Sequence, residues 1–217
     1  MLTPAEIDMA VAAGARAVGL VADMPNGPGI LSDDKVKKLA DHVHAAHGDA
    51  VWSVLLTSRT DPGEIADHIG STGVNTVQIV DHDGMAAIPE IRAAHPTVRV
   101  LQVVHVEDES AIDIASAAAG AADFILLDSG KPSSAVNTFG GTGDTHDWTI
   151  SRQIVEAVEK PVFLAGGLGP DNIRAAMAAV RPYGVDICSG LRDRDNGYVL
   201  LGERLSAFAA ALAAPAG

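Results

Sequence analysis

Cysteine is almost absent from this chain. Cys188 is the single one in 217 residues, which excludes an intrachain disulfide and any cysteine-rich metal site. Aromatic residues make up only 4% although 47% of the chain is hydrophobic, so a core of small and branched side chains is expected. Basic residues number 15 against 28 acidic ones, and the net charge of -13 repels nucleic acid and anionic membrane surfaces. A phosphate-bearing ligand would therefore depend on local donors. No segment approaches the roughly 20 apolar residues of a membrane span, and MLTPAEIDMAV lacks the basic-then-apolar order of a secretory signal. The expectation is a cytoplasmic protein with a small-molecule partner, no nucleic-acid or membrane partner, no cofactor and no metal.

What the chain does contain is a regular alternation. Seven runs rich in Val, Ile and Leu recur: AVGLVA (17–22), VWSVLLT (51–57), TVQIV (76–80), VRVLQVVHV (98–106), DFILLD (123–128), PVFLAG (161–166) and GVDICSG (184–190). They are nearly continuous rather than alternating, as strands buried on both faces are. Helical patterns lie between them: Ser32 is placed to cap a helix running to His47 with Gly48 after it, Asp147 to cap one before Lys160, and Pro170 to open one through Val180. Strand and helix in strict alternation imply a parallel sheet, and at this length a single (β/α)8 TIM barrel over residues 1–217 is expected. A closed barrel of that kind has eight strands, and the absent one should precede the first helix. There, however, Thr3 and Glu6 form a capping box with Pro4 at the first helical position. The expectation is a barrel whose first strand is missing or truncated, with unpaired edges that favour a homodimer.

Glycine clusters follow the last three strands: Gly140, Gly141 and Gly143 in GGTGDTHDW, then Gly166 and Gly167, then Gly190. Glycine lets backbone N–H groups approach and point at an anion, and this end of a barrel is the common phosphate position. The expected phosphate-binding set is Gly141, Thr142, Gly143, Gly166, Gly167, Ser189 and Gly190.

The segments FILLDS, FGGTGDTHDW, VFLAGGLGPDNI and YGVDICSGL resemble, in order and spacing, the carboxyl half of the phosphoribosylanthranilate isomerase family. LTPAEIDMAVAAGARAVGLV and GPGILSDDKV resemble its earlier part more loosely. The resemblance implies an Amadori rearrangement of an aminoaldose phosphate to an aminoketose phosphate in tryptophan biosynthesis. It makes Asp128 the general acid, and the end of an apolar strand would raise its pKa by desolvation.

The departures from that pattern are also specific. The family places its general base, a cysteine, in a Lys-Ile-Cys-Gly strand directly before the first helix, where this sequence begins Met1-Leu2-Thr3. Cys188 aligns with a serine beside the phosphate loop and reads as a small buried residue of the last strand. Asp81, His82, His105 and Asp23 fall at or just past strand ends, and Asp81 and His105 are the candidate substitute bases. The family's Ser-Pro-Arg, whose arginine holds the anthranilate carboxylate, is Gly27-Pro28-Gly29 here, which removes a charge-assisted contact of roughly 1.5–3 kcal/mol. Arg192 stands where glutamate is usual. A lyase or cyclase on the same barrel, or a noncatalytic phosphate-sugar-binding protein, are the alternative readings. His42, His44 and His47 read as a solvated helix face, with His44 and His47 together and His42 pointing elsewhere. Trp148 reads as packing behind its loop.

Overall fold

Residues 1–22, 24, 29–129 and 148–214 are described by the computed structural model. The chain divides into two compact units, Met1–Gln102 and Val103–Gly217. In the first, the order is α1 (Pro4–Ala12), β1 (Ala17–Val21), α2 (Asp33–His47), β2 (Trp52–Thr57), α3 (Pro62–Thr72), β3 (Thr76–Ile79), α4 (Ile88–Ala94) and β4 (Arg99–His105), whose last three residues belong to the second unit. The second continues with α5 (Ser110–Ala119), β5 (Phe124–Asp128), α6 (Trp148–Ala157), β6 (Val162–Leu164), α7 (Ile173–Val180), β7 (Gly184–Val185) and α8 (Gly202–Ala213).

Within each unit every strand pairs in parallel with its neighbour in chain order. Ala17 stands opposite Trp52, Val54 opposite Thr76, and Thr76 opposite Arg99; in the second unit Ile125 faces Val162 and Phe163 faces Gly184. Parallel neighbours require a crossover, and the intervening helices supply it. Those helices also explain the continuous apolar runs: Leu20, Leu55, Val77, Ile79 and Val100 are buried in the first unit, and Ile125, Leu127 and Leu164 in the second. On α2 the buried residues are Val36, Leu39, Ala40 and Val43, a single stripe at i, i+3, i+4 and i+7.

Local chemistry sets the helix ends. Thr3 Oγ1 accepts the Glu6 N–H at 3.2 Å, with Pro4 beginning α1, as the capping pattern requires. The Glu6 carboxylate reaches back one residue further than expected, accepting the Leu2 N–H at 2.8 Å. Asp61 caps α3 through the Glu64 N–H at 2.9 Å, and Gly73, at φ 68°, ends it. Ser32 occupies the N-cap of α2 without a side-chain capping bond.

Two expected boundaries move. The helix expected to open at Pro170 begins at Ile173 with Asn172 at its N-cap, because Asn172 is engaged with the preceding glycine loop. The last strand stops at Val185, because residues 189–191 close a short 3-10 turn in which the Leu191 N–H meets the Cys188 carbonyl at 3.1 Å.

No strand precedes α1 among the described residues. The outer edge of β1 is nonetheless partly occupied. The Gly19 carbonyl accepts the amino group of Met1, and the Val21 carbonyl accepts the Leu31 N–H at 2.8 Å.

Candidate phosphate and acid site

Asp128 is the last residue of β5, and its carboxyl is buried. Its Oδ1 accepts the Ser129 N–H at 2.9 Å. Burial raises the Asp128 pKa; the charge of His105 and the Ser129 bond oppose that rise without cancelling it. His105 ends β4 beside it, and the two strand ends are tied by the Val106 N–H on the Asp128 carbonyl at 3.0 Å. The structure thus brings together two of the three residues that the sequence nominates for catalysis.

Gly166 closes the other side of this corner. It has φ +87°, and a Cβ on it would stand 2.6 Å from Ser129 Oγ and 2.7 Å from Ser129 N. Only glycine fits there. Ser129 Oγ is buried and has no hydrogen-bond partner among the described residues, which leaves a donor and acceptor available beside the acid.

A second carboxyl belongs to this neighbourhood. Asp186 follows β7, and its N–H meets the Leu164 carbonyl at 2.9 Å. The protein around its side chain raises its pKa to about 6, and the charge of Asp128 adds to the rise. Water still reaches the side chain, so the crowding is partial dehydration rather than enclosure. Sequence reasoning left Asp186 out of the site, although an acidic residue inside the apolar run GVDICSG was the available signal.

The phosphate candidates gather nearby in the same unit. Gly167, Leu168, Gly169, Asn172, Ser189, Gly190, Arg194 and Arg204 line a depression of about 400 Å³. Gly167 has φ 62°. A Cβ on Gly190 would stand 2.3 Å from the Leu168 carbonyl oxygen, so the two loops touch backbone to backbone. Asn172 holds the loop's shape: its Oδ1 accepts the Gly169 N–H and its Nδ2 donates to the Gly167 carbonyl, both at 2.9 Å. Among the described residues the N–H groups of Gly167, Ser189 and Gly190 meet no acceptor. Such donors call for an anion or water.

The loop after β7 delivers the cations. Its ends pair where the Asp193 N–H meets the Val199 carbonyl at 2.9 Å, and Arg192 Nη1 donates to the Tyr198 carbonyl at 2.8 Å. Arg204, on the first turn of α8, reaches the Gly190 carbonyl at 3.5 Å. Neither Arg194 nor Arg204 was singled out by the sequence, because both lie beyond the glycine motif that marks the loop.

The remaining candidates are as follows. Asp81 belongs to the first unit, where its Oδ1 accepts the Asp83 N–H at 3.0 Å; His82 is exposed beside it. Cys188 is not the buried last-strand residue expected: β7 ends at Val185, and Cys188 is exposed before the 189–191 turn, with Sγ 3.6 Å from the Tyr198 hydroxyl. Trp148 is half-buried at the start of α6, its indole nitrogen without a partner among the described residues. Asp23, Gly27, Pro28, Gly140, Gly141, Thr142, Gly143, His146 and Asp147 lie outside the described residues. The histidine reading changes: His44 turns to Ser53, with Nε2 and Oγ at 3.2 Å, while His42 and His47 share a partner.

Parallel strands alternating with helices, with glycine turns and an acid after consecutive strands, define a barrel-type enzyme scaffold for a phosphorylated ligand. Comparison with known proteins makes this specific. The family model of N-(5'phosphoribosyl)anthranilate (PRA) isomerase matches residues 10–197, and the chain belongs to that family. The N-(5'-phosphoribosyl)anthranilate isomerase of Methanocella arvoryzae is 33% identical over 189 residues, covering 87% of this chain and 84% of the relative. Among solved structures, phosphoribosyl anthranilate isomerase from Thermus thermophilus superposes with a TM-score of 0.79 at 22% identity, covering 98% of this chain and 95% of that one. A phosphoribosyl anthranilate isomerase in complex with reduced 1-(o-carboxyphenylamino)-1-deoxyribulose 5-phosphate gives a TM-score of 0.73 at 22% identity, with coverage of 98% and 94%. These likenesses establish the (β/α)8 barrel fold. No helix among the described residues is long and apolar enough to cross a membrane.

Proposed function

We propose that this protein isomerises N-(5'-phosphoribosyl)anthranilate to the corresponding aminoketose phosphate, with Asp128 as general acid. Membership of the isomerase family supports the reaction. The single observation that carries the residue assignment is the meeting, in one unit, of a buried carboxyl with a raised pKa and backbone N–H groups that meet no acceptor among the described residues.

The phosphate binds against the N–H groups of Gly167, Ser189 and Gly190 with Arg194 and Arg204 beside them, joined by Gly141, Thr142, Gly143 and Gly166 from the expected set. Asp128 gives its proton to the ring oxygen as the carbon–oxygen bond of the furanose breaks, leaving an open-chain iminium. Loss of the proton on the neighbouring carbon then gives an enolamine, which becomes the ketone when a proton returns to the adjacent carbon. His105 takes the carbon proton in this reading. Asp81 ranks behind it, since its carboxylate already accepts the Asp83 N–H. Burial raises the Asp128 pKa, which favours the protonated form that a general acid needs.

Turnover of the named substrate, followed by loss of anthranilate fluorescence, is the test. Activity in the parent, with a loss of roughly a hundredfold or more in H105N and little change in D81N, supports the assignment. An inactive, well-folded parent overturns the reaction, and an active H105N overturns the base. A homodimer is part of the proposal, because β7 pairs only with β6 among the described residues. Light scattering giving the mass of one chain at all concentrations would refute it.

A further inference from the structure

On the first unit, three ligand-type side chains that have no role assigned above converge. Asp8 projects from α1, and its Oδ1 lies 2.8 Å from His42 Nε2 and 3.0 Å from His47 Nε2. The three potential ligand atoms all lie within 4.8 Å of one another. His42 and His47 are five positions apart, which an unbroken helix would set about 140° apart around its axis. They meet because His47 leaves helical geometry, with φ -126° and ψ -9°, just before Gly48 turns the chain at φ 59°.

We propose that Asp8, His42 and His47 form a binding site for a divalent transition-metal ion of the zinc class, clipping α1 to α2. Two imidazole nitrogens and one carboxylate oxygen are the donor set such ions select. On a tetrahedral zinc ion, with bonds of about 2.1 Å, neighbouring ligands stand about 3.4 Å apart. The present contacts need to open by only a few tenths of an ångström to admit the ion, well within side-chain freedom at the surface.

The surroundings fit the assignment. The Asp8 side chain is half exposed and the two imidazoles are 27% and 19% exposed, so water can complete the coordination. In the metal-free arrangement both imidazoles crowd one carboxylate oxygen, and each contact needs hydrogen on Nε2. An ion takes the Nε2 lone pairs once each neutral imidazole carries its hydrogen on Nδ1, adding two positive charges to a chain of net charge -13. His44 lies outside the cluster, on Ser53, and provides an internal control.

Zinc ion alone, titrated into the full chain in competition with a chromophoric chelator, tests the site. One ion per chain is expected. The double variant H42Q/H47Q should lose affinity by at least about tenfold, while H44Q binds as the parent does. D8N, which keeps the side-chain shape, should also weaken binding, and circular dichroism confirms that each variant is folded. Failure of the parent to compete for zinc overturns the proposal. So does undiminished binding by the folded double variant, or an equal loss in H44Q.

Discussion

The α-carbon of Gly190 packs so closely against the Leu168 carbonyl that even a methyl group on it would fall 2.3 Å from that oxygen. The contact joins the loop after β6 to the turn after β7, and it determines where the Ser189 and Gly190 N–H groups stand. G190A must push the two loops apart, with overpacking of the order of 1–3 kcal/mol. A raised KM and weaker inhibition by inorganic phosphate are expected, alongside a lowered melting temperature. Unchanged kinetics would show that the two turns do not form the phosphate grip.

Removing the clamp on the loop should act differently from crowding it. N172A frees the Gly169 N–H and the Gly167 carbonyl while adding no bulk. Each lost hydrogen bond is worth about 0.5–1.5 kcal/mol, so KM should rise roughly tenfold with a smaller change in kcat. Steady-state kinetics on the folded variant decides this.

Arg194 and Arg204, which line the depression, should make the proposed phosphate subsite sensitive to salt. R204M retains much of the side-chain bulk but removes the charge, and a charge-assisted contact contributes about 1.5–3 kcal/mol. Substrate KM should rise by roughly ten- to a hundredfold, and its salt dependence should flatten. A KM that stays put would place the phosphate elsewhere.

Asp128 and Asp186 make a prediction about pH with a definite sign. Asp186 holds its proton up to about pH 6 in the folded chain, whereas an unfolded aspartate loses it near the ordinary value of 3.8. Stability is therefore unpenalised below the unfolded value and falls as pH rises toward about 6. D186N should raise the melting temperature at neutral pH relative to the parent, with the difference vanishing at low pH. In D128N the neighbouring charge is gone, so the Asp186 carboxyl should titrate below its parent value by carbon-detected NMR. D128N should also lose roughly a hundred- to ten-thousandfold in kcat.

How far the sequence reads ahead differs between fold and site. Continuous runs such as FILLD announce strands buried on both faces, and Thr3, Pro4 and Glu6 announce the start of α1, because periodicity and capping are local chemistry. Order and spacing nominate Asp128, Gly166 and Gly167, and the structure places all three in the second unit, with Asp128 at the end of β5 and the glycines just past β6. Asn172 was not, since its role is to hold backbone three and five residues earlier, and nothing in GPDNI distinguishes it from an ordinary cap. Arg194, Arg204 and Asp186 become visible only when loops are folded against one another. The three histidines show the limit of ideal periodicity: one residue leaving helical geometry, His47, changes which pair meets.

Gly166 touches the Ser129 N–H, and that same N–H steadies the Asp128 carboxyl. The backbone that would cradle a distant anionic group is thus in mechanical contact with the proton donor. Under the proposed assignment, anchoring one end of the substrate and aiming the donor at its other end become one event. A dephosphorylated analogue should consequently react slowly even at saturation, because its absence of anchorage is felt at the reacting bond and not only in its affinity.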